Sequence, residues 1–437
     1  MKKSILPFFL ITCILLCPQV KAQPGSGIRI AEGTTLKPSL NLKWNYDDNV
    51  NIRRRALEST TEPLNTNEDD TSLSYTAELA LNRIAGNRTA RARLWYGEQY
   101  YGEFEELDSE NYGVNVGHFW TRTNGRTTLD VSAGYEYAVD RAGDYDNRNL
   151  GTNQTQTNFE TVSERVERDI TSAEVRLTQD VTTDVGSALV LGYYDTAYAD
   201  DVYNDRTAYD ATLELNYQYS IKTQPYARLS YSIDEDNGYV EDAEKPAALI
   251  GVRHNPSEKL RFDVAVGYEE FTRTPWDISY GLDADGSIVE TGREPGVEQE
   301  DSSLKYTAAI FYEATRKTSF SLRASNGFDS VAAGLGTSRK ENRVSFSMRH
   351  QTTPQINQSF LINYRKDEFY SNRQDEPGEE EFVEVKDTFR YEYRINYNTV
   401  RPWLSFFGNV NYEDGESEIE SENYEQVRIT LGTRLSY

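Results

Sequence analysis

The feature that most limits how this chain can fold is a strict alternation of apolar and polar residues in segments of about 10 residues. A period of two places neighbouring side chains on opposite faces of a β-strand, so each segment has one apolar and one polar face. The last segment, 427–437, keeps the pattern up to its terminal residue, Tyr437. Comparable segments lie at 36–46, 73–81, 129–137, 209–217, 260–268, 304–312 and 389–397, with weaker ones near 187–194 and 246–254.

Two kinds of connection, short and long, separate these segments and alternate along the chain. The short ones, most of which carry Gly, Asn, Pro or Asp, suit tight reversals and lie at 83–88, 123–126, 180–184, 220–223, 254–259, 314–317, 351–355 and 398–402. The long ones are rich in acidic residues and lie at 48–70, 97–110, 139–168, 196–206, 234–245, 272–301, 327–340, 366–384 and 413–422. We therefore predict an all-β fold, a transmembrane antiparallel up-and-down β-barrel of about 18 strands (range 16–18), with short periplasmic turns and long extracellular loops.

The first 22 residues are predicted to be a cleavable signal peptide, which leaves 23–437 as a single barrel domain. Lys2 and Lys3 precede an apolar run over 5–16, and residues 20–22 read Val-Lys-Ala, similar to a small-residue cleavage site. An anchoring helix is disfavoured because this run is shorter than the roughly 20 residues that a spanning helix needs.

Composition excludes several classes of protein. Loss of the three leader lysines changes the formal net charge from −25 to −28, and phosphate binding needs a basic face, so nucleic acid is not an expected partner. A mean hydropathy of −0.71 is typical of disordered chains, but 31 Tyr, 17 Phe and 5 Trp favour a folded one. Cys13 and Cys17 both lie in the leader, so neither disulfides nor thiolate chemistry is expected in the mature chain.

Two soluble β architectures also alternate, and both fit less well. A β-sandwich or jelly roll needs two inner faces with an ordinary core of Val, Ile and Leu, whereas here tyrosine recurs at the strand ends, as in the aromatic girdles of a lipid-facing band. A propeller or solenoid needs a motif repeated at a fixed period, and the chain shows only a loose hairpin rhythm.

The polar face of the strands is charged, so we expect it to face the barrel interior, because Arg or Lys facing lipid at the bilayer midplane costs about 2–4 kcal/mol. Two interpretations stay open. The side chains line a pore whose arginine bias favours anionic or hydroxyl-rich solutes, or they pair across strands and stiffen the wall. The pore-lining candidates are Arg91, Arg93, Arg176, Arg228, Arg323, Arg343, Arg349, Arg390, Arg394, Arg428, Glu78, Glu136, Glu214 and Glu392.

Catalytic motifs are scarce, and we predict that the protein is not an enzyme and needs no cofactor. The three histidines, His118, His254 and His350, all lie beside short turns and on the apolar parity of their strands. Neither a G-x-S-x-G elbow nor an H-E-x-x-H motif is present.

Acidic clusters in the long connections raise the question of calcium. Oxygen ligands suit Ca²⁺, and Asp283 and Asp285 are weak candidates, but the "DADG" stretch at 283–286 lacks the later ligands of a complete calcium loop. No metal site is therefore predicted, and the acidic loops are expected to be solvated surface.

The stretch 27–50 is the most distinctive part of the sequence and resembles the opening of the putative β-barrel porins of exopolysaccharide operons. The resemblance rests on a Leu-x-Pro-x-Leu strand and a Tyr-x-Asp-Asn exit, matched here by Leu36, Pro38, Leu40, Tyr46, Asp48 and Asn49. It implies an outer-membrane barrel associated with surface polysaccharide, and it brings no catalytic or binding residues.

The expected function is therefore a porin-like channel or conduit linked to the export or passage of exopolysaccharide or other carbohydrate. The alternative is a structural or adhesive surface barrel with an occluded lumen and acidic, cation-bridged loops. Expected partners are outer-membrane lipid and lipopolysaccharide, a polysaccharide, and the barrel-assembly machinery, whose recognition signal the C-terminal strand ending in Tyr437 resembles.

Overall fold

A computed structural model describes residues 27–49, 69–122, 125–140, 166–199, 205–236, 240–282, 288–296, 298–330, 338–370, 383–417 and 423–437. Within these residues the regular structure is β-strand, apart from one 3-10 turn at Glu105–Leu107. No helix in the described ranges is long and apolar enough to cross a membrane.

The described strands follow one another as antiparallel neighbours. They are β1 (Ile28–Ala31), β2 (Thr34–Asp47), β3 (Asp70–Ala85), β4 (Arg88–Tyr101), β5 (Ser109–Thr121), β6 (Thr127–Asp140), β7 (Val166–Asp180), β8 (Val185–Tyr198), β9 (Arg206–Tyr217), β10 (Thr223–Asp236), β11 (Val240–Glu244), β12 (Ala247–Ser257), β13 (Leu260–Leu282), β14 (Ile288–Pro295), β15 (Gln299–Thr315), β16 (Thr318–Ser330), β17 (Ser338–Gln351), β18 (Ile356–Tyr370), β19 (Val383–Asn398), β20 (Leu404–Ser417) and β21 (Tyr424–Ser436).

The sheet closes on itself as an antiparallel barrel of 18 wall positions in the described residues, which confirms the predicted fold class. Strands β11 and β12 share one position between β10 and β13, because Pro246, which cannot donate to a ladder, interrupts them. Strands β14 and β15 likewise share the position beside β13. Strand β1 adds no position, since it pairs only with the start of β2.

The barrel closes where the first long strand meets the last. Strand β2 pairs with β3 on one side and with β21 on the other, with Leu40 opposite Leu435 and Leu42 opposite Thr433. The first residues of β2, before the part that pairs with β21, pair instead with β1 on the same edge, with Ile28 opposite Leu36. Pro38 lies at the junction, and its carbonyl accepts a hydrogen bond from the Tyr437 N–H at 3.0 Å. A proline is tolerated here because the partner strand changes at this residue.

The outer face of the barrel is an exposed apolar band. Leu73 is 60% exposed and Ile250 is 70% exposed, although both lie within strands that are paired on both sides. Aromatic pairs border the band at two levels. Tyr112 stacks on Tyr137 near the long connections, and other pairs near the short turns include Tyr397 with Phe406 and Tyr312 with Phe320.

An apolar band between two aromatic girdles on a closed barrel matches a lipid bilayer, because closure leaves no strand edge unpaired in hydrocarbon. The protein is therefore a barrel of the bacterial outer membrane. In the part of the chain that the structure describes, the short turns lie at one end of the barrel. We call the half of each strand next to them the turn half. The other half, next to the longer connections, is the loop half.

The loop half contains more strand than the sequence indicated. The stretch 234–245 was expected to be a loop, but strands β10 and β11 occupy most of it. In 272–301, also expected to be a loop, β13 continues to Leu282 and pairs with β14 before β15 begins. In the second stretch Trp276, Ile278, Tyr280 and Leu282 still alternate with polar residues or glycine, but Pro275 and the surrounding acidic residues made the stretch resemble a loop. The first stretch is strongly acidic and shows no such alternation.

Candidate functional site: the lumenal wall

All 14 predicted pore-lining residues lie on the inward face of the barrel. Strand pairing fixes this face, because residues directly opposite each other in neighbouring strands point to the same side. Glu78 lies opposite Trp95, and two residues along the same face Ala80 lies opposite Arg93, whose guanidinium bonds Glu78 at 2.9 Å. The same argument from ladder to ladder places the rest inward, namely Arg91, Arg176, Arg228, Arg323, Arg343, Arg349, Arg390, Arg394, Arg428, Glu136, Glu214 and Glu392.

Most of these residues form ion pairs with neighbours on the same face. Arg176 pairs with Glu174 and Arg91 with Asp130, both at 3.6 Å, and Arg343 pairs with Glu341 at 2.9 Å. Arg176–Glu174 and Arg343–Glu341 each lie within one strand, whereas Arg91–Asp130 and Arg93–Glu78 join different strands. The interpretation that the charges pair across strands therefore has support at the last two pairs.

Glu392 joins two of the predicted arginines. Its carboxylate bonds Arg394 at 2.8 Å and approaches Arg390 at 3.6 Å. Arg390 also donates to Asn411 on the next strand at 2.9 Å. One carboxylate thus contacts two arginines on the same strand.

The largest network joins β9, β10, β12 and β13 around Glu214. Its carboxylate accepts from Arg228 at 2.9 Å and from Arg253 at 2.7 Å. Arg253 also pairs with Asp263 at 3.2 Å, and its guanidinium lies 4.3 Å above the Tyr226 ring, whose hydroxyl donates to Asp263. The sequence analysis missed Arg253 and Tyr226, because β12 was only a weak alternating segment.

Charges in the loop half form a buried layer. We call it the loop-half layer; it consists of Asp47, Asp70, Glu136, Arg206, Asp234, Glu269, Arg273, Arg365, Asp367, Lys386 and Glu413, all buried and all on the inward face or turned toward it. Asp234, 2% exposed, pairs with Arg206 at 3.0 Å and with Lys245. Asp367, fully buried, pairs with Arg365 at 2.7 Å. Burial on this scale keeps the side chains in fixed arrangements.

The hairpin of β16 and β17 contributes to that burial, because in the loop half β16 separates from its neighbour β15. The pairing of β15 with β16 ends at Thr307 opposite Ser325, whereas β16 stays paired with β17 as far as Ser330. Beyond the end of this pairing, the Asn326 side chain replaces the backbone as the hydrogen-bond partner of β15. It accepts from the Tyr306 N–H at 2.7 Å and donates to the Leu304 carbonyl at 2.6 Å.

Past Asn326 the hairpin leans across the lumenal side of β13 and β15. The Phe328 N–H donates to Glu269 at 3.0 Å, and its ring stacks on Phe271 with centroids 5.3 Å apart. Glu269 also pairs with Lys305. These contacts place part of β16 over the lumenal side of β13 in the loop half.

Glu214 and Glu392 in the turn half are also buried, but several arginines there are exposed. We call them the turn-half vestibule, formed by Arg91, Arg93, Arg261, Arg323, Arg349, Arg394 and Arg434. The side chain of Arg91 is 54% exposed and that of Arg261 is 62% exposed. Arg323 lies 5.4 Å from the Phe311 ring and Arg434 donates to Asn41, and neither has a carboxylate partner among the described residues.

A cavity of about 560 Å³ lies in this vestibule between β15 and β19. Its lining includes Arg349, Arg394, Ser359, Asn357 and Asn396 on the inward face. At the turn end the lining also includes the outward-parity residues Thr318, His350 and Gln358. The arrangement combines cationic and neutral polar groups in a concave surface, which suits binding of a hydrophilic solute.

We call the pairing of β2 with β21, which closes the barrel, the seam. The motif that carries the family resemblance forms the loop-half end of this seam. Gln426 donates to both carboxylate oxygens of Asp47, at 2.8 and 3.0 Å, and the Asn49 amide donates to the Glu425 carbonyl at 3.0 Å. The Val427 N–H donates to Asp48, and burial raises the pKa of that carboxyl while this bond opposes the shift. Asp48 and Asn49 therefore help to hold the barrel closed.

The histidines lie where the sequence placed them, on the outward face beside short turns. His254 bonds the Thr223 hydroxyl and His350 bonds the Thr318 hydroxyl, each at 2.9 Å across a ladder. Among the described residues no group of three or more His, Cys, Asp or Glu could hold a metal ion. Asp283 and Asp285, the weak calcium candidates, lie outside the described residues.

Comparisons with known proteins extend to fold only. No protein-family model matches the sequence, and no curated protein matches it either, so the resemblance of 27–50 stays a prediction. Solved structures with a similar barrel include the FrpB iron transporter from Neisseria meningitidis, with 10% identity over 87% of this chain and 62% of that one and a TM-score of 0.45.

Two further structures give similar values. The alcaligin outer-membrane receptor FauA from Bordetella pertussis shows 10% identity, coverage of 91% and 76%, and a TM-score of 0.44. The ferric-catecholate import receptor Fiu from E. coli K12 shows 8% identity, coverage of 84% and 81%, and a TM-score of 0.46. The chain spans 62% of the length of the FrpB transporter, and at these values the likeness carries no argument about ligands or transport.

Proposed function

We propose that the protein is a non-enzymatic outer-membrane channel that passes a hydrophilic, carbohydrate-class solute. The observation that carries the proposal is the turn-half vestibule, a set of exposed arginines facing a lumen that an 18-strand barrel is wide enough to keep aqueous. The turn half is the wide entrance of this channel, and the loop-half layer is its narrow part.

A link to exopolysaccharide is the finer part of the proposal. The resemblance of 27–50 supports it, and so do the hydroxyl and amide groups between the arginines, which suit sugar hydroxyls. Further proposed partners are outer-membrane lipid and lipopolysaccharide around the apolar band, and the barrel-assembly machinery at the C-terminal strand ending in Tyr437.

Planar-bilayer recording of the purified protein tests the channel. We expect single-channel conductance that added polysaccharide reduces. A protein that shows heat-modifiable gel migration, and is therefore folded, but that conducts at no voltage contradicts the proposal.

A second candidate is a structural or adhesive barrel with an occluded lumen, and the loop-half layer favours it. Asp367 and Arg365 are both buried, as is the Phe271–Phe328 pair, and such contacts seal rather than open a lumen. This candidate predicts no conductance in the intact protein and, for acidic loops bridged by cations, calcium-dependent adhesion of cells that display it.

The absence of an enzymatic role is tested through the three histidines. A variant with His118, His254 and His350 all replaced by Gln is expected to keep wild-type conductance, because all three face outward at the turn end. Loss of conductance in a correctly folded triple variant contradicts this part of the proposal.

A further inference from the structure

We propose that Arg349 and Arg394 form an oxyanion-binding site in the turn-half vestibule. Its ligand is a small sugar-like solute that carries a carboxylate or phosphate group beside hydroxyl groups. The inference deepens the proposed channel function and rests on it for its biological meaning, while the site itself stands on the geometry below.

The two arginines lie in one row across adjacent strands. Arg349 of β17 is directly opposite Ser359 of β18, and Ser359 is directly opposite Arg394 of β19. On the other side of Arg349 lies Ser319 of β16. Because neighbouring strands lie about 4.8 Å apart, the two arginines start roughly 10 Å apart with a serine hydroxyl between them. That interval suits a single sugar ring with an acidic substituent.

Neither guanidinium is fully used by the protein. No described carboxylate lies within ion-pairing distance of Arg349, which is exposed. Arg394 pairs with Glu392 but shares that carboxylate with Arg390, and its side chain stays 51% exposed. These two arginines differ in this respect from Arg365 and Arg206, whose carboxylate partners are buried with them.

The surrounding cavity is locally cationic in a chain whose formal net charge is −25. Arg316 and Lys317, in the turn between β15 and β16, also line it. The acidic lining residue is Glu313, and it faces Arg261 at 3.6 Å. An anion entering from the turn side therefore meets an attractive field that the acidic remainder of the chain does not supply.

The donor set indicates what the ligand contains. A guanidinium presents a planar fork of N–H groups that matches a carboxylate or phosphate. Ser359, Asn357 and Asn396 add neutral donors and acceptors, which suit hydroxyl groups. A solute that combines an oxyanion with hydroxyls uses both kinds of group at once.

Isothermal titration calorimetry of the folded barrel in detergent, at low salt, tests the site with glucose 6-phosphate, glucuronate and glucose as probes. We expect at least one anionic sugar to bind at least tenfold more tightly than glucose, and which one binds distinguishes phosphate from carboxylate. Arg349→Gln and Arg394→Gln are each expected to weaken that binding at least tenfold. Arg88→Gln, which changes an exposed arginine at the same end of the barrel but on the outward face of β4, is the matched control and is expected to change binding less than twofold.

The site is refuted if neither anionic sugar binds or if glucose binds as well as they do. Unchanged binding in an Arg349→Gln, Arg394→Gln double variant contradicts it equally. Because these measurements need no conductance, they separate the site from the channel. Binding without conductance supports the site and rejects the channel, whereas conductance without binding does the reverse.

Discussion

Two ion pairs on the same inward face differ in nearly everything except their chemistry. In the loop half, Arg206 and Asp234 lie 3.0 Å apart with side chains 6% and 2% exposed. In the turn half, Arg261 and Glu313 lie 3.6 Å apart with side chains 62% and 57% exposed. Alternation in the sequence places all four residues inward and says nothing of this contrast.

The contrast separates two uses of charge in one barrel. A buried pair has lost its hydration, so removing one partner leaves an uncompensated charge and destabilises the fold. An exposed pair contributes little to stability, and its groups stay available to a solute. The loop half therefore holds the wall together, and the turn half presents charge to the lumen.

The largest expected effect comes from breaking a loop-half pair. Asp234→Asn removes the carboxylate that Arg206 and Lys245 share, and we expect the free energy of unfolding to fall by about 3–5 kcal/mol. Urea unfolding in detergent, followed by the gel shift between folded and unfolded forms, measures it. A loss below about 1 kcal/mol would mean that the loop-half layer is hydrated after all.

The seam gives the next effect and can be compared at its two ends. Asp47→Ala at the loop-half end leaves Gln426 without its carboxylate partner, and we expect a loss of about 2–3 kcal/mol in the same assay. Asn41→Ala at the turn-half end removes the exposed bond from Arg434 and is expected to cost less than about 1 kcal/mol. Equal losses at both ends contradict the contrast between the halves.

Asn326 tests the departure of β16 from the wall. Asn326→Ala removes its bonds to the Tyr306 N–H and the Leu304 carbonyl, and we expect a loss of about 1–2 kcal/mol with faster hydrogen exchange at the Tyr306 amide. Ser325→Ala, one residue earlier and still within the regular β15 pairing, is the control. Unchanged exchange at Tyr306 shows that backbone pairing continues past Ser325.

The smallest effect on stability is expected in the turn half. Arg261→Gln breaks an exposed pair, so unfolding is expected to change by less than about 0.5 kcal/mol. Removing a lumenal cation is instead expected to shift ion selectivity toward cations, which the reversal potential in a salt gradient measures. A stability loss comparable to that of Asp234→Asn shows that the turn half is structural as well.

Much of the fold could be predicted from the sequence because the bilayer imposes a period of two. Strand parity and the alternation of short and long connections follow from it and are confirmed in the described residues. The closure of β21 on β2 near Leu40 and Leu42 completes that arrangement. The inward orientation of residues such as Arg93 and Arg394 follows as well.

What lies beyond the bilayer could not be predicted the same way. There a strand needs no apolar face, so the extended pairing of β13 with β14 looked like an acidic loop. The bend at Asn326 depends on one side chain that replaces a backbone ladder, and the pairing of buried Asp234 depends on Arg206 and Lys245, whose positions only the strand register fixes. The role of Asp48 and Asn49 in the seam likewise needed the position of β21.

The contrast between the two halves is tested most directly by thiol labelling of paired positions. A chain beginning at Gln23 has no cysteine, so single cysteines can be introduced as Arg349→Cys in the vestibule and Thr388→Cys, 5% exposed, beside the loop-half layer. We predict rapid reaction of the first with a charged, membrane-impermeant thiol reagent, and no reaction of the second until the barrel is unfolded. Equal labelling of both cysteines in the folded barrel would contradict the account.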